Sequence, residues 1–258
     1  MLFIQPRGGL GNRLRAIDSA RALAAEIEHE LVIIWNSGPE MGADFLDLFE
    51  PIAGIGVVHG EVVRAREPII HLSQQRVGEL RKADFSFASL REYATIIIET
   101  WDRFYPPRNP FAMFVPTAAL RDRVAELTAR FDQTIGVHIR RTDHKKARAD
   151  SPTEAFLRRM RTALDTGEAR SFFLATDDPA EEVALRTAFG GAIITQAKRS
   201  LERSEREAIE DAVVDLYALA ATRQILGSTG SSFSDAAAGI GRIKLERARA
   251  ASSSAVPR

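Results

Sequence analysis

Residues 2–27, "LFIQPRGGLGNRLRAIDSARALAAEI", decide how the rest of the chain is read. A short β-rich run, "LFIQ", ends in a loop with glycines at positions 8, 9 and 11. A helical pattern follows, whose apolar residues Leu14, Ile17, Ala20, Ala24 and Ile27 fall on one stripe. Strand, glycine loop and helix in that order open an α/β domain.

The alternation continues outward from that unit. "LVIIW", a helix around Phe45 to Phe49, and the runs "IGVVH", "IIHLS" and "ATIIIE" predict a largely parallel sheet. From Trp101 to Phe111, "WDRFYPPRNPF" is too rich in proline and aromatics for a regular element and reads as a crossing between domains. After it come a helix near Ala118 to Phe131 and the strand "TIGVHI". Helix starts are expected at Ser151-Pro152-Thr153-Glu154, at Asp178-Pro179, and at Ser204 with Glu207 as a capping box. The last of these helices runs to about Thr222, with Ile209, Ala212, Val213, Leu216, Leu219 and Ala220 on its buried stripe. "QILGS" is a strand, and "TGSSFSDAA" leads through a tight loop into a helix. The domains are therefore expected at 1–110 and 111–246, with a flexible tail at 247–258.

Composition excludes several classes of function. Lys and Arg together number 35, as do Asp and Glu, so no global field draws the chain to nucleic acid or an anionic membrane. Any anion site must be a local cluster. No cysteine is present, which removes disulfides and thiolate metal sites, and the five histidines lack metal-ligand spacing. No metal is expected. No apolar run approaches the roughly 20 residues of a membrane span, and the first residues lack a signal-peptide pattern, so a soluble cytoplasmic protein is the expectation.

Four clusters fall where an α/β sheet exposes its strand ends, the place such folds bind ligands. The glycine loop with Gly9, Gly11 and Asn12 would let backbone N–H groups approach an anion. It lacks the Gly-Lys-Ser/Thr of a Walker A loop. Leu14 stands at the third glycine position of the dinucleotide fingerprint and no acidic residue ends the second strand at Trp35-Asn36, which argues against a nicotinamide oxidoreductase. The second cluster, "GVHIRRTDHKK" at 136–146, sets His138 in an apolar strand before Arg140 and Arg141, then Asp143. A guanidinium there can bind two phosphate oxygens and stays charged, or it can simply face water. His138, between Val137 and Ile139, reads first as a hydrogen-bonded core residue and only second as a catalytic one. The third is "LATDDP", where Asp178 can cap a helix and Asp177 has no evident structural task. The fourth joins the carboxylates Glu207, Asp211 and Asp215, one helical face that reads by default as solvated, to Ser231, Ser232 and Ser234, which can hold a phosphate or cap the next helix.

In order along the chain, "GGLGNRL", "HIRRTD", "ATDDP" and "DLYALAATRQILGSTGSSFS" resemble the fucosyltransferase superfamily of α1,2-, α1,6- and protein O-fucosyltransferases. The motifs span roughly 5 to 240, with nothing matched between Trp35 and Ile135. The resemblance implies an α/β fold of GT-B type, two Rossmann-type domains facing across a cleft, with GDP-fucose as donor, a glycan acceptor, no metal and inverting transfer. It implies that Arg140 holds the β-phosphate and Arg141 supports it or the loop. His138 and Asp215 would lie near the guanine, Ser231 and Ser232 near phosphate, and Asp177 and Asp178 along the site. Gly9, Gly11 and Asn12 would approach the diphosphate and sugar. The α1,6 members carry a glutamate beyond this motif that is thought to act as base, where Arg148 stands here; Asp143, Asp150 and Glu154 are the alternatives. The same departure would suit a nucleotide-binding module without transferase activity, and no motif reads the sugar ring, so another nucleotide sugar also fits.

Overall fold

The computed structural model describes residues 1–60, 65–141 and 149–250. The chain divides into two compact units, Met1–Arg121 with Lys198–Val213, and Asp122–Ala197 with the chain from Val214 onward.

Unit 1 is built on a five-stranded sheet in the order β3-β2-β1-β5-β4, every pair parallel. Its strands are β1 (Leu2–Pro6), β2 (Leu31–Ile34), β3 (Ile55–Val58), β4 (Ile69–Leu72) and β5 (Thr95–Thr100). Helices α1 (Leu10–Glu26), α2 (Phe45–Leu48) and α3 (Gln74–Lys82) connect them. Leu14, Ile17, Ala20, Ala24 and Ile27 of α1 are all buried, as the 3.6-residue period requires of a helix lying on a sheet.

Unit 2 is also parallel throughout, in the order β10-β9-β6-β7-β8, and differs from unit 1 in that its fourth strand in sequence, not its fifth, lies beside the first. Its strands are β6 (Thr134–Ile139), β7 (Ser171–Thr176), β8 (Ile193–Ile194), β9 (Gln224–Gly227) and β10 (Lys244–Arg247). Its helices are α5 (Thr153–Asp165), α6 (Pro179–Phe189) and α8 (Ser232–Gly241), together with the parts of α4 (Ala118–Thr128) and α7 (Arg206–Ala220) that begin at Asp122 and Val214. All six residues of β6 are buried, the signature of a central strand covered on both faces. Gly136 is a packing requirement there: a Cβ would lie 2.8 Å from Thr222 Oγ1 and 2.9 Å from Leu219 Cδ2 at the end of α7.

Several local expectations need correcting. The segment 101–111 lies on α1 inside unit 1 instead of crossing between units. Phe104 and Phe111 are buried, the Phe104 N–H donates to Ser19 Oγ (3.3 Å), and the Phe111 N–H donates to Asp18 Oδ1 (3.1 Å). Pro152, not Ser151, is the N-cap of α5, because Ser151 is engaged elsewhere: its Oγ donates to Thr229 Oγ1 and accepts from the Thr229 N–H. Helix α7 starts at Arg206, two residues past the expected serine cap, and its stripe is buried as expected except for half-buried Ala212. The expected tail, 247–258, begins with ordered structure. Arg247 closes β10, Ala248 is buried and its N–H donates to Gly227 O (3.0 Å), while 251–258 lie outside the described residues.

Asp18 carries a measurable consequence. It is 1% exposed, its Oδ2 lacks a hydrogen bond among the described residues, and the Arg103 guanidinium stands 3.8 Å away. Burial raises its pKa to about 6, only partly opposed by the Phe111 N–H and Arg103. A folded-state pKa above the unfolded one means that the ionised form penalises folding. Stability therefore falls as pH rises from about 4 to above 6. Asp18→Asn keeps the acceptor for Phe111. It is expected to exceed the wild type by on the order of 2 kcal/mol near neutral pH and to lose that advantage below about pH 4, as followed by urea unfolding across pH.

Candidate functional site

In unit 2 the chain proceeds from β6 to β7 and β8 on one side, then returns to β9 and β10 on the other. The strand order therefore reverses between β6 and β9, and the crevice at their carboxyl ends is where open α/β sheets place ligands. His138, Arg140, Arg141 and the loop 228–231 all meet at this edge.

The junction is stitched by backbone and hydroxyl groups. The Ser228 N–H donates to His138 O (3.1 Å), and the Arg140 N–H donates to Ser228 Oγ (3.0 Å). His138, 7% exposed, shares a proton with Ser234 Oγ through Nδ1 (2.7 Å) and lies against the Phe233 ring at 4.8 Å. Ser234 reaches it because Gly227 has no side chain: a Cβ there would sit 2.6 Å from Ser234 Oγ. Ser231 is buried and caps α8, its Oγ accepting from the Ser234 N–H (3.4 Å); half-buried Ser232 is the first helical residue. The amino end of α8 thus opens on the end of β6, a polarity that favours an anion.

The two arginines are used differently. Arg140 is half-buried. Arg141 is 7% exposed and its guanidinium is spent on the protein. Nε donates to Glu181 Oε1 (2.5 Å), one Nη to Ser151 O (2.9 Å), and the other to Thr153 Oγ1 (3.2 Å), with the Phe156 ring 5.8 Å away. Thr153 also donates to Glu181 Oε1 (2.7 Å), and Glu181 is itself buried. Arg141 is therefore a brace that ties β6 to the starts of α5 and α6. Asp177, which the sequence leaves without a task, accepts from the Arg141 N–H (2.8 Å), and Asp178 caps α6 through the Ala180 N–H (2.9 Å).

Asp215 is buried on α7 and accepts from Gln196 Nε2 (2.6 Å). Asp211, read from sequence as a solvated face, is 1% exposed in unit 1 and accepts from the Arg199 backbone N–H (2.7 Å) and Nε (2.8 Å). Asp143 and Arg148 lie outside the described residues.

The glycine loop belongs to unit 1. Gly8 adopts a φ of 72°, which glycine tolerates and other residues resist, and Gly9 caps α1 without a side-chain bond. The loop is held by Arg13, whose Nε donates to Gly8 O (2.9 Å) and whose Nη1 donates to Asn36 O (2.9 Å) above the Trp35 ring. Burial lowers the Arg13 pKa to about 10, so it stays charged at neutral pH. Gly11 is buried inside α1, while half-buried Asn12 makes no side-chain hydrogen bond among the described residues. Arg203 Nη1 lies 4.0 Å from where a Gly9 Cβ would be. Sequence reading missed Arg13, Glu181 and Arg203. The "GNR" of the loop drew attention to Asn12, and nothing local marks Arg203, which is nearly two hundred residues distant in sequence.

No helix among the described residues is long and apolar enough to cross a membrane, and no cluster of three acidic or histidine side chains there could hold a metal ion. No protein-family model matches the chain, and no curated protein matches it by sequence. Solved structures do match. The fucosyltransferase NodZ from Bradyrhizobium is 21% identical over 92% of this chain and 91% of its own, with a TM-score of 0.68. NodZ is an alpha-1,6-fucosyltransferase whose crystal structure has been solved after soaking with GDP-fucose. A mutant of Arabidopsis thaliana FUT1 in complex with GDP is 15% identical over 95% of this chain and 69% of its own, TM-score 0.63. POFUT1 in complex with GDP-fucose is 11% identical over 96% of both chains, TM-score 0.59. The fold is thus the expected α/β one, two Rossmann-type sheets of the GT-B kind, shared with fucosyltransferase structures.

The Arg141 brace is open to a direct stability measurement. Arg141→Ala leaves Glu181 buried and without its partner, and is expected to cost about 3–5 kcal/mol in urea unfolding. Adding Glu181→Gln to that variant should recover part of the loss, because the uncompensated charge is removed.

Proposed function

We propose that this protein is an inverting glycosyltransferase that moves fucose from GDP-fucose to a hydroxyl of a glycan. The observation that carries the reading is the placement of Arg140 at the reversal point of the unit 2 sheet, beside the amino end of α8, in a fold shared with proteins crystallised with GDP or GDP-fucose.

In this reading the acceptor oxygen bonds to the anomeric carbon on the face opposite GDP. The bond from that carbon to the β-phosphate oxygen breaks with its electron pair, and the acceptor proton passes to a base. Negative charge grows on the departing phosphate. A guanidinium already fixed there interacts more strongly with the transition state than with the ground state, which lowers the barrier. Arg140 supplies that countercharge without a divalent ion, and Ser231 and Ser232 add hydroxyl and N–H donors. His138 and Asp215 border the nucleobase, Asp177 and Arg141 hold the loop, and Asp178 starts α6. Gly9, Gly11 and Asn12 are proposed as further participants in transfer. Asp150 and Glu154 are the described candidates for the base, beside Asp143.

Two measurements test this. GDP should raise the melting temperature more than UDP or ADP at equal concentration; saturation at about 100 times Kd corresponds to about 2.7 kcal/mol. Equal shifts would remove the guanine assignment. Arg140→Ala should lower kcat/KM for fucosyl transfer by about 10²–10³ and weaken GDP binding about tenfold. Unchanged turnover in that variant would refute the phosphate role. GDP binding with no transfer to any acceptor would instead favour a nucleotide-binding module, the reading that Arg148 in the base position supports.

A further inference from the structure

The turn before α1 contains a peptide unit whose direction is set from inside the protein. Gly8 has a φ of 72° and Gly9 a φ of −72° with a ψ of 175°, so this peptide joins two residues that lack side chains. Its carbonyl oxygen, on Gly8, turns inward, where Arg13 Nε donates to it at 2.9 Å. A trans peptide is planar, with its C=O and N–H pointing in opposite directions. The Gly9 N–H therefore points away from Arg13, and it donates to nothing among the described residues. Asn12 lies over the same turn: a Cβ on Gly8 would stand 2.9 Å from its Nδ2.

Arg13 is held where it can grip that carbonyl. It is 6% exposed, its guanidinium carbon lies 4.8 Å from the centroid of the buried Trp35 ring, and Nη1 donates to Asn36 O (2.9 Å). Trp35 Nε1 in turn donates to Ala43 O (2.9 Å). The Asn36 carboxamide accepts from the Gly60 N–H (2.8 Å) and donates to Gly60 O (3.3 Å), which fixes the end of β2. One arm of the fork thus rests on a fixed carbonyl and the other on the glycine turn. A planar guanidinium sets the distance between the two, which a flexible ammonium does not. Without that grip the peptide is free to turn over, because positive φ costs glycine little. Turning over carries Gly9 to positive φ, swings its N–H inward and presents the Gly8 carbonyl, an acceptor, on the outer side.

The geometry points to Arg13 as a positioning residue: it locks the peptide between Gly8 and Gly9 with the N–H outward, so the loop offers a substrate oxygen a donor and not an acceptor. This rests on the transferase reading above, in which Gly9 takes part in transfer. Arg13 acts only through the loop.

The test uses Gly9→Ala as a second lock. The present φ of Gly9 suits any residue, and a Cβ there would meet only Arg203 Nη1 at 4.0 Å, whereas the turned-over peptide requires a positive φ that alanine resists. Arg13→Met keeps the bulk and removes both donors. In the wild-type background it should lower kcat for transfer from GDP-fucose by about 10- to 100-fold with KM little changed, the signature of a donor lost from the transition state. In the Gly9→Ala background the same substitution should lower kcat by less than about threefold, relative to Gly9→Ala alone. Arg13→Lys keeps the buried charge but cannot span both carbonyls; it should show the same pattern at smaller amplitude, and it serves where the methionine variant does not fold. Equal losses in the two backgrounds overturn the proposal and leave Arg13 a support of the fold.

NMR of the free protein reads the peptide without turnover. The three-bond HN–Hα couplings of Gly9 and the Overhauser effect from Gly8 Hα to the Gly9 N–H should change in Arg13→Met and return toward the wild type when Gly9→Ala is added. Wild-type couplings in Arg13→Met alone overturn the lock. The two readings fail separately. A peptide that turns over without Arg13, in a protein that transfers no fucose, sinks the transferase and leaves the lock. Fucosyl transfer with equal kcat losses in both backgrounds sinks the lock and leaves the transferase.

Discussion

The arrangement at the carboxyl end of β6 depends on one buried ion pair, Arg141 with Glu181. A buried charge is costly to desolvate and is tolerated only when its partner and its remaining hydrogen bonds are all in place. For Arg141 they are, through Glu181, the Ser151 carbonyl and the Thr153 hydroxyl, with its N–H taken by Asp177, while Glu181 Oε2 makes no hydrogen bond among the described residues. That set fixes the direction of the chain as it leaves the strand, and so fixes the backbone from which the neighbouring Arg140 projects. From the other flank Ser228 accepts the Arg140 N–H, and the absence of a Cβ at Gly227 brings Ser234 onto His138. Adjacent arginines in one motif thus divide the work: one is consumed in fixing the backbone on which the other stands.

Much of this was legible in the sequence, and the reasons differ by element. The α1 stripe and the apolar runs of β1, β2, β5, β6 and β7 have enough length and contrast for periodicity to identify them. Ile193–Ile194 and Lys244–Arg247 do not: one is two residues long, and the other, rich in charge, lies at the sheet edge, where a strand need not be apolar. Proline-rich text around Tyr105 looked like a linker because its order comes from Asp18 and Ser19, far away in sequence, and not from its own backbone pattern. Asp211 looked solvated for the same reason, since Arg199 reaches it from another segment. In the site, hydroxyl and glycine motifs marked the right edge of the sheet, whereas the split between Arg140 and Arg141 could not be read, because it is decided by Glu181 forty residues later.

The two sheets share the order of their first three strands, differ in which later strand lies beside the first, and differ in the chemistry of their strand ends. In unit 2 the edge between β6 and β9 brings Arg140 beside the amino end of α8. In unit 1 the corresponding edge balances Arg7 against Glu99 and adds amide and imidazole groups over two isoleucines. A helix amino end favours an anion at the first, whereas at the second the Arg7–Glu99 pair leaves their formal charges balanced. A group-transfer enzyme needs that separation. The leaving diphosphate must find a countercharge, and an acceptor nucleophile works best in surroundings that do not hold a competing phosphate. On the proposed transferase reading, a chain with no net charge leaves anion attraction to local clusters, whereas an evenly basic one would bind anions at either edge.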